Sequence, residues 1–218
     1  MALEKGTWVE NILRQGVGQL SGPGHYFLPA MRTLLLLSAG LSLAGPAAAQ
    51  APSAPARVSS ADSAFMTGMI GHHAQAITMS NLAAGRVSND QVRILADRVI
   101  VSQRDEITAM ETWLRDRGLP VPDSAHRHHG AGALMPGMLS PAQMKELEAT
   151  RGPEFDRLFV TLMMQHHQGA LTMVDQLLKA PGGHDTFVYK FAADVDADQR
   201  AEIERMARLL AILPIGEN

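Results

Sequence analysis

The chain carries one stretch twice, and this duplication limits it to folds built from two similar halves. The first copy is Asp62-x-x-Phe65-x-x-x-Met69-x-x-His72-His73-x-x-Ala76-x-x-Met79. The second is Asp156-x-x-Phe159-x-x-x-Met163-x-x-His166-His167-x-x-Ala170-x-x-Met173. Every named position recurs at one offset, since 156 − 62 and 173 − 79 both give 94. Within each copy the steps run three, four, three, four, three, which is the heptad seam of a bundled helix. The first histidine of each pair therefore points into the core. The second, His73 or His167, is expected at the edge of the buried stripe.

The N-terminal third reads differently. Residues 1–30 have no sustained period and are interrupted by Gly16, Gly18, Gly22, Pro23 and Gly24. Met31-Arg32, the apolar run Thr33 to Leu43 and the small residues Ala47-Ala48-Ala49 together read as a secretory signal peptide over residues 31–49. Met31 is then the expected start, and residues 1–30 a mis-assigned extension. The apolar run is short for a bilayer span, so no membrane span is expected in the mature form. Residues 50–59, with Pro52 and Pro55, read as a flexible tether. The destination is the periplasm or the exterior. The chain has no cysteine, so disulfides and thiolate ligands are ruled out, and a soft metal would have to use methionine. The formal net charge is −3, without a basic run, which argues against nucleic acid as a partner.

In the mature chain, Ser59 with Asp62 predicts the start of a first helix that stops near Gly85. Ser88 with Gln91 predicts the start of a second helix, ending at Gly118-Leu119-Pro120. A loop over 118–139 follows. Ser140-Pro141-Ala142-Gln143 has the pattern of a capping box with proline at the first helical position, and Gly152-Pro153 breaks the short helix it opens. The second motif helix runs to Pro181, and a last helix from about Asp185 to Leu213. The second and last helices are also related: Gln103-Arg104-x-Glu106-Ile107-x-x-Met110 recurs as Gln199-Arg200-x-Glu202-Ile203-x-x-Met206. The duplicated unit is thus a whole helical hairpin. Hairpin one (60–117) and hairpin two (140–213), with no strand signal, predict an all-α antiparallel four-helix bundle over residues 60–213.

Pseudo-twofold symmetry would set His72 and His166 at one height, with Met69 and Met163 about one turn below. Counting through the hairpin turns brings Gln103 and Gln199 to face them, with Glu106 and Glu202 about a turn away. Such groups can take an imidazole N–H and fix the tautomer. Asp62 and Asp156 lie too far along the helix to share the site, and read as helix-dipole partners or as hydrogen-bonded to a neighbouring helix end.

Three chemistries fit this layer. It can be a structural, hydrogen-bonded polar layer with the methionines as core, in a bundle that interacts with a protein partner. It can hold a soft metal, since imidazole plus thioether favours copper, especially Cu(I), or silver. It can be a di-iron or di-manganese carboxylate site with Glu106 and Glu202, although the Glu-x-x-His spacing of such sites is missing. The loop residues His126, His128, His129, Met135 and Met138 form a second cluster able to capture metal. No nucleophilic hydrolase signature is present.

The doubled motif, the Met135-Pro136-Gly137-Met138 turn and the Gln-Arg-x-Glu-Ile repeats resemble the bacterial family called domain of unknown function 305, over about residues 60–213. The resemblance implies a ferritin-like four-helix bundle in secreted or periplasmic proteins, some of which bind copper through histidine and methionine. Carried over by position, it implies Met69, His72, His73, Met163, His166 and His167 as metal ligands, with Met135 and Met138 as further candidates. The expectation is a non-enzymatic, exported protein that sequesters a copper ion or hands it to a periplasmic metal-handling protein.

Overall fold

The computed structural model describes residues 58–122 and 134–215. These hold five helices: α1 (Ser60–Asn81), α2 (Asp90–Asp116), α3 (Pro141–Ala149), α4 (Gly152–Lys179) and α5 (Thr186–Ile212). No strand occurs among the described residues. The long helices α1, α2, α4 and α5 form the expected bundle. Each hairpin packs internally, α1 on α2 and α4 on α5, and the two halves join chiefly through α1 against α4, the two motif helices. That inner pair is therefore the most enclosed. Phe65, Met66, Met69, Ile70 and Met79 of α1 are buried, as are Phe159, Val160, Met163 and Met164 of α4. Among the described residues no helix is long and apolar enough to cross a membrane.

The duplicated aspartates tie the halves together. Asp156 of α4 accepts hydrogen bonds from Ser88 N–H (3.2 Å), Ser88 Oγ–H (2.5 Å) and Asn89 N–H (2.9 Å), just before α2 begins. Asp62 of α1 accepts from His184 Nδ1–H (2.9 Å) and Asp185 N–H (2.8 Å), just before α5 begins. Each hairpin thus supplies a buried carboxylate to the helix start of the other. Of the two roles expected for these aspartates, the cross-helix one is realised. A carboxylate there satisfies N–H groups that the helix leaves unpaired.

Some local expectations change. Ser59 Oγ accepts from Asp62 N–H at 2.9 Å, but the Asp62 side chain is spent on the distant helix end and closes no box. The cap of α2 is Asn89, whose side chain accepts from Gln91 N–H at 2.8 Å and Val92 N–H at 3.4 Å. Ser88 cannot serve because its hydroxyl is committed to Asp156. Ser140 and Gln143 do form the capping box, with proline at the start of α3. Ser59 and Val58, assigned to the tether, belong to the bundle: Val58 packs against the core.

Candidate functional site

The four motif histidines meet where α1 and α4 cross. All are buried, none with more than 1% of its surface exposed. His73 and His167 are as deep as His72 and His166, contrary to the expectation that they lie at the stripe's edge. The reason is that α1 and α4 each have helices on two sides, so a residue turned away from one neighbour faces the next. The His72 and His166 rings lie 3.9 Å apart between centroids, and His73 and His167 each stand 6.2 Å from their chain neighbour's ring.

Every one of the four uses Nε2 for a hydrogen bond. His72 Nε2–H donates to the Pro136 carbonyl at 3.0 Å, and His166 Nε2–H to the His72 carbonyl at 3.0 Å. His73 Nε2–H donates to Glu106 Oε2, and His167 Nε2–H to Glu202 Oε2 at 2.5 Å. A carbonyl can only accept, so Nε2 of His72 and His166 must carry the proton and Nδ1 the lone pair. Burial first, then the neighbouring His73, holds the His72 pKa down at about 3. His166 is likewise held well below the ordinary range by burial and then by His72. Both rings are neutral at neutral pH.

Of the four residues expected to take an imidazole N–H, Glu106 and Glu202 do so. Gln103 and Gln199 are buried, but the side chains that reach the rings are Glu106 and Glu202, and they reach His73 and His167. Counting residues fixes height along the bundle but not which face a side chain leaves from, and the carboxylates sit one turn on, facing the rings. Burial would raise the Glu202 carboxyl; the hydrogen bond and charge of His167, with Arg205 and Arg98, overcome this and lower it.

The Met135–Met138 turn, expected as part of a flexible cluster, is docked on the α1–α4 seam. Gln75 of α1 grips Leu139 twice, accepting from its N–H at 2.7 Å and donating to its carbonyl at 3.0 Å. Gln165 of α4 donates to the Gly137 carbonyl at 3.3 Å. Beside Gln165, Gly169 gives the turn room, whereas a Cβ on Gly71, beside Gln75, would make only ordinary contact with Met135 at 3.6 Å. A Cβ on Gly169 would fall 2.0 Å from the Pro136 oxygen, and one on Gly137 2.6 Å from the Gln165 oxygen. Gly137 also has φ +73°, a left-handed conformation that favours glycine. Met135 lies over α1, its sulfur 3.4 Å from the Cβ position of Gly68. His126, His128 and His129 lie outside the described residues.

These glycines and glutamines were missed in the sequence because they exchange places. Gly71 pairs with Gln165 and Gln75 with Gly169 at the repeat offset, 165 − 71 = 169 − 75 = 94. A search for identities passes over a reciprocal swap, of which the turn's close approach demands the glycine at 169.

The donors fit a soft metal. Nδ1 of His72, His73 and His167 is buried with no hydrogen-bond partner. A bare buried polar atom costs about 1–3 kcal/mol, so three at one level are a poor structural layer but an apt set of ligand lone pairs. Their Nε2–H groups are anchored by oxygen acceptors, as is usual for metal-bound histidine. Met69 and Met163, one turn away, are fully buried. Among the described residues no three histidine or carboxylate side chains converge as a ready cage. A metal taken here would need the thioethers as well, and Glu106 and Glu202 are already committed to imidazoles. Both conditions disfavour a hard, carboxylate-bridged metal pair and suit Cu(I).

Comparison with known proteins gives a family and several similar structures. A family model described as Domain of unknown function (DUF305) matches residues 62–210. The crystal structure of a DUF305 protein from Streptomyces coelicolor, described as secreted, is 30% identical with a TM-score of 0.62, covering 72% of this chain and 96% of that one. CopM in its Cu(II)-bound form is 28% identical with a TM-score of 0.56, covering 69% of this chain and 95% of CopM. CopM is also similar in Cu(I)-bound and Ag-bound forms, with TM-scores of 0.54 and 0.53. An uncharacterized protein of Acanthamoeba polyphaga mimivirus is 40% identical over 58 residues, 27% of this chain and 38% of that relative. The chain thus matches well under half the length of that curated relative.

Proposed function

Because the chain belongs to the DUF305 family, whose model spans residues 62–210, we propose that it is an exported, non-enzymatic copper-binding protein. It takes Cu(I) through Nδ1 of the paired histidines together with Met69 and Met163, for sequestration or for transfer to a periplasmic metal-handling protein. Met135 and Met138, held against the seam by Gln75 and Gln165, are the nearest further thioethers. The carrying observation is the set of buried, unpartnered Nδ1 atoms on His72, His73 and His167, each on a ring anchored through Nε2. The similarity to CopM, which has been crystallised with copper and silver, supports the same metal class. Export is supported by the signal-like residues 31–49 and by the Streptomyces relative's description as secreted.

What the residues do is bind and orient. Glu106 and Glu202 hold His73 and His167 in one tautomer, and the Pro136 and His72 carbonyls do the same for His72 and His166. Bound copper would supply no reaction here. The test is an anaerobic titration of residues 50–218, without a histidine tag, with Cu(I) against a competing chelator. Tight, saturable binding that is lost in a His72→Ala/His166→Ala variant is the expected result. Unaltered binding by that variant would move the site elsewhere, and no binding by the parent would leave the layer structural.

A further inference from the structure

The histidines are sealed from solvent, so a cation must have a way in. Three sides of the bundle are closed by packing, α1 on α2, α4 on α5 and α1 on α4. The Met135–Met138 turn is latched over the α1–α4 seam. On the fourth side α2 and α5 make no comparable contact, and a cleft of about 600 Å³ lies between them. Its lining includes Glu106 and Glu202, whose side chains are 15% and 13% exposed while the imidazoles they hold are 1% and 0% exposed. The cleft therefore ends on the carboxylates that touch His73 and His167.

We propose that this α2–α5 cleft is the port through which a soft monovalent cation reaches the histidine layer, steered by Asp105 and Asp198. The inference rests on the copper-binding reading above and adds the route. The cleft carries Asp97, Asp105, Glu106, Asp198 and Glu202 against Arg98 and Arg205, five carboxylates to two guanidiniums. Arg98 and Arg205 stand toward one end, where the lining continues to Arg208 and Leu209, and their charge still reaches Glu202. The acids Asp105, Glu106, Asp198 and Glu202 stand at the level of the histidines. A cleft with an excess of one sign and low-dielectric walls focuses the field and raises the local concentration of the opposite ion.

A second, independent feature points to a ligand in the same place. Gln199 lines this cleft, is only 2% exposed, and its amide makes no hydrogen bond among the described residues. The amide is not among the buried polar atoms left without a partner, so the small exposed part of Gln199 opens onto the cleft. Its carbonyl oxygen, beside the acids, is a neutral donor suited to a cation losing its water on the way in.

The test is anaerobic stopped flow with Cu(I) supplied as its cationic acetonitrile complex, followed by near-ultraviolet absorbance, at several ionic strengths. Asp105 and Asp198 are exposed and touch no histidine, so Asp105→Asn/Asp198→Asn keeps the fold and the ligands. At low salt the association rate should fall about three- to tenfold, with its salt dependence flattened and the dissociation rate unchanged. Gln199→Leu should slow association at every ionic strength. A parent that binds Cu(I) while both variants associate at the parent rate would overturn the port and leave the site standing. A parent that binds no Cu(I) would overturn both.

Discussion

Replacing Gly169 with alanine sets two opposed effects against each other, and the structure decides the sign. In a helix interior Gly→Ala is worth about 1 kcal/mol of added stability. Here the new Cβ would stand 2.0 Å from the Pro136 oxygen, whereas ordinary contact begins near 3.4 Å. The turn must therefore withdraw by about 3.4 − 2.0 = 1.4 Å. That breaks the 3.0 Å bond from His72 Nε2–H to Pro136 and the 3.3 Å bond from Gln165 to Gly137. The first leaves a buried N–H without an acceptor, at about 1–3 kcal/mol, and the second adds about 1 kcal/mol. The net expectation is a loss of about 1–3 kcal/mol. Gly68→Ala is the matched control: its Cβ would only touch the Met135 sulfur at 3.4 Å, so the helix gain survives, about 0–1 kcal/mol of stabilisation. Urea unfolding of the metal-free proteins reads both. A Gly169→Ala midpoint equal to or above that of the parent would refute the clamped turn.

Acid should destabilise the metal-free protein. His72 has a folded pKa of about 3 and His166 is also depressed, against about 6.5 for an unfolded chain. The unfolded state then takes up protons first, so the stability from neutral burial is complete above pH 6.5 and drains as pH falls from 6.5 toward 3. Denaturant midpoints from pH 7.5 to 5 should fall steadily, and a rise would contradict the buried neutral rings. Glu106→Gln/Glu202→Gln should keep the bundle but weaken Cu(I) binding about 10- to 100-fold, because a neutral amide replaces the charged acceptor that orients His73 and His167. Chelator competition measures this, and an unchanged affinity would remove the carboxylates from the site.

Much of the bundle was legible because the repeat and the three-four spacing are local signals. They placed both hairpins, the histidine level and the capping box at Ser140. What escaped depends on the meeting of elements. Ser88 and Asn89 are both good caps, and only the arrival of Asp156 from another helix decides that Asn89 takes the role. Glu106 and Glu202 were among the expected imidazole partners, and the choice of them over Gln103 and Gln199 depends on how α2 and α5 are rotated. The depth of His73 and His167 followed from α1 and α4 having neighbours on two sides, which a single-stripe reading cannot see. The docked turn was hidden by the exchange of Gly71 and Gln75 for Gln165 and Gly169.

The central claim is that Nδ1 of these histidines binds the metal while Nε2 stays anchored. The most direct measurement is a long-range proton–nitrogen correlation spectrum of the histidine rings in labelled protein, before and after one equivalent of Cu(I). The account predicts Nε2–H tautomers throughout the metal-free layer, with the Nδ1 resonances of His72, His73 and His167 moving on loading and the Nε2 protons retained. Ring nitrogens that do not move while copper binds, or copper that displaces the Nε2 protons, would contradict it.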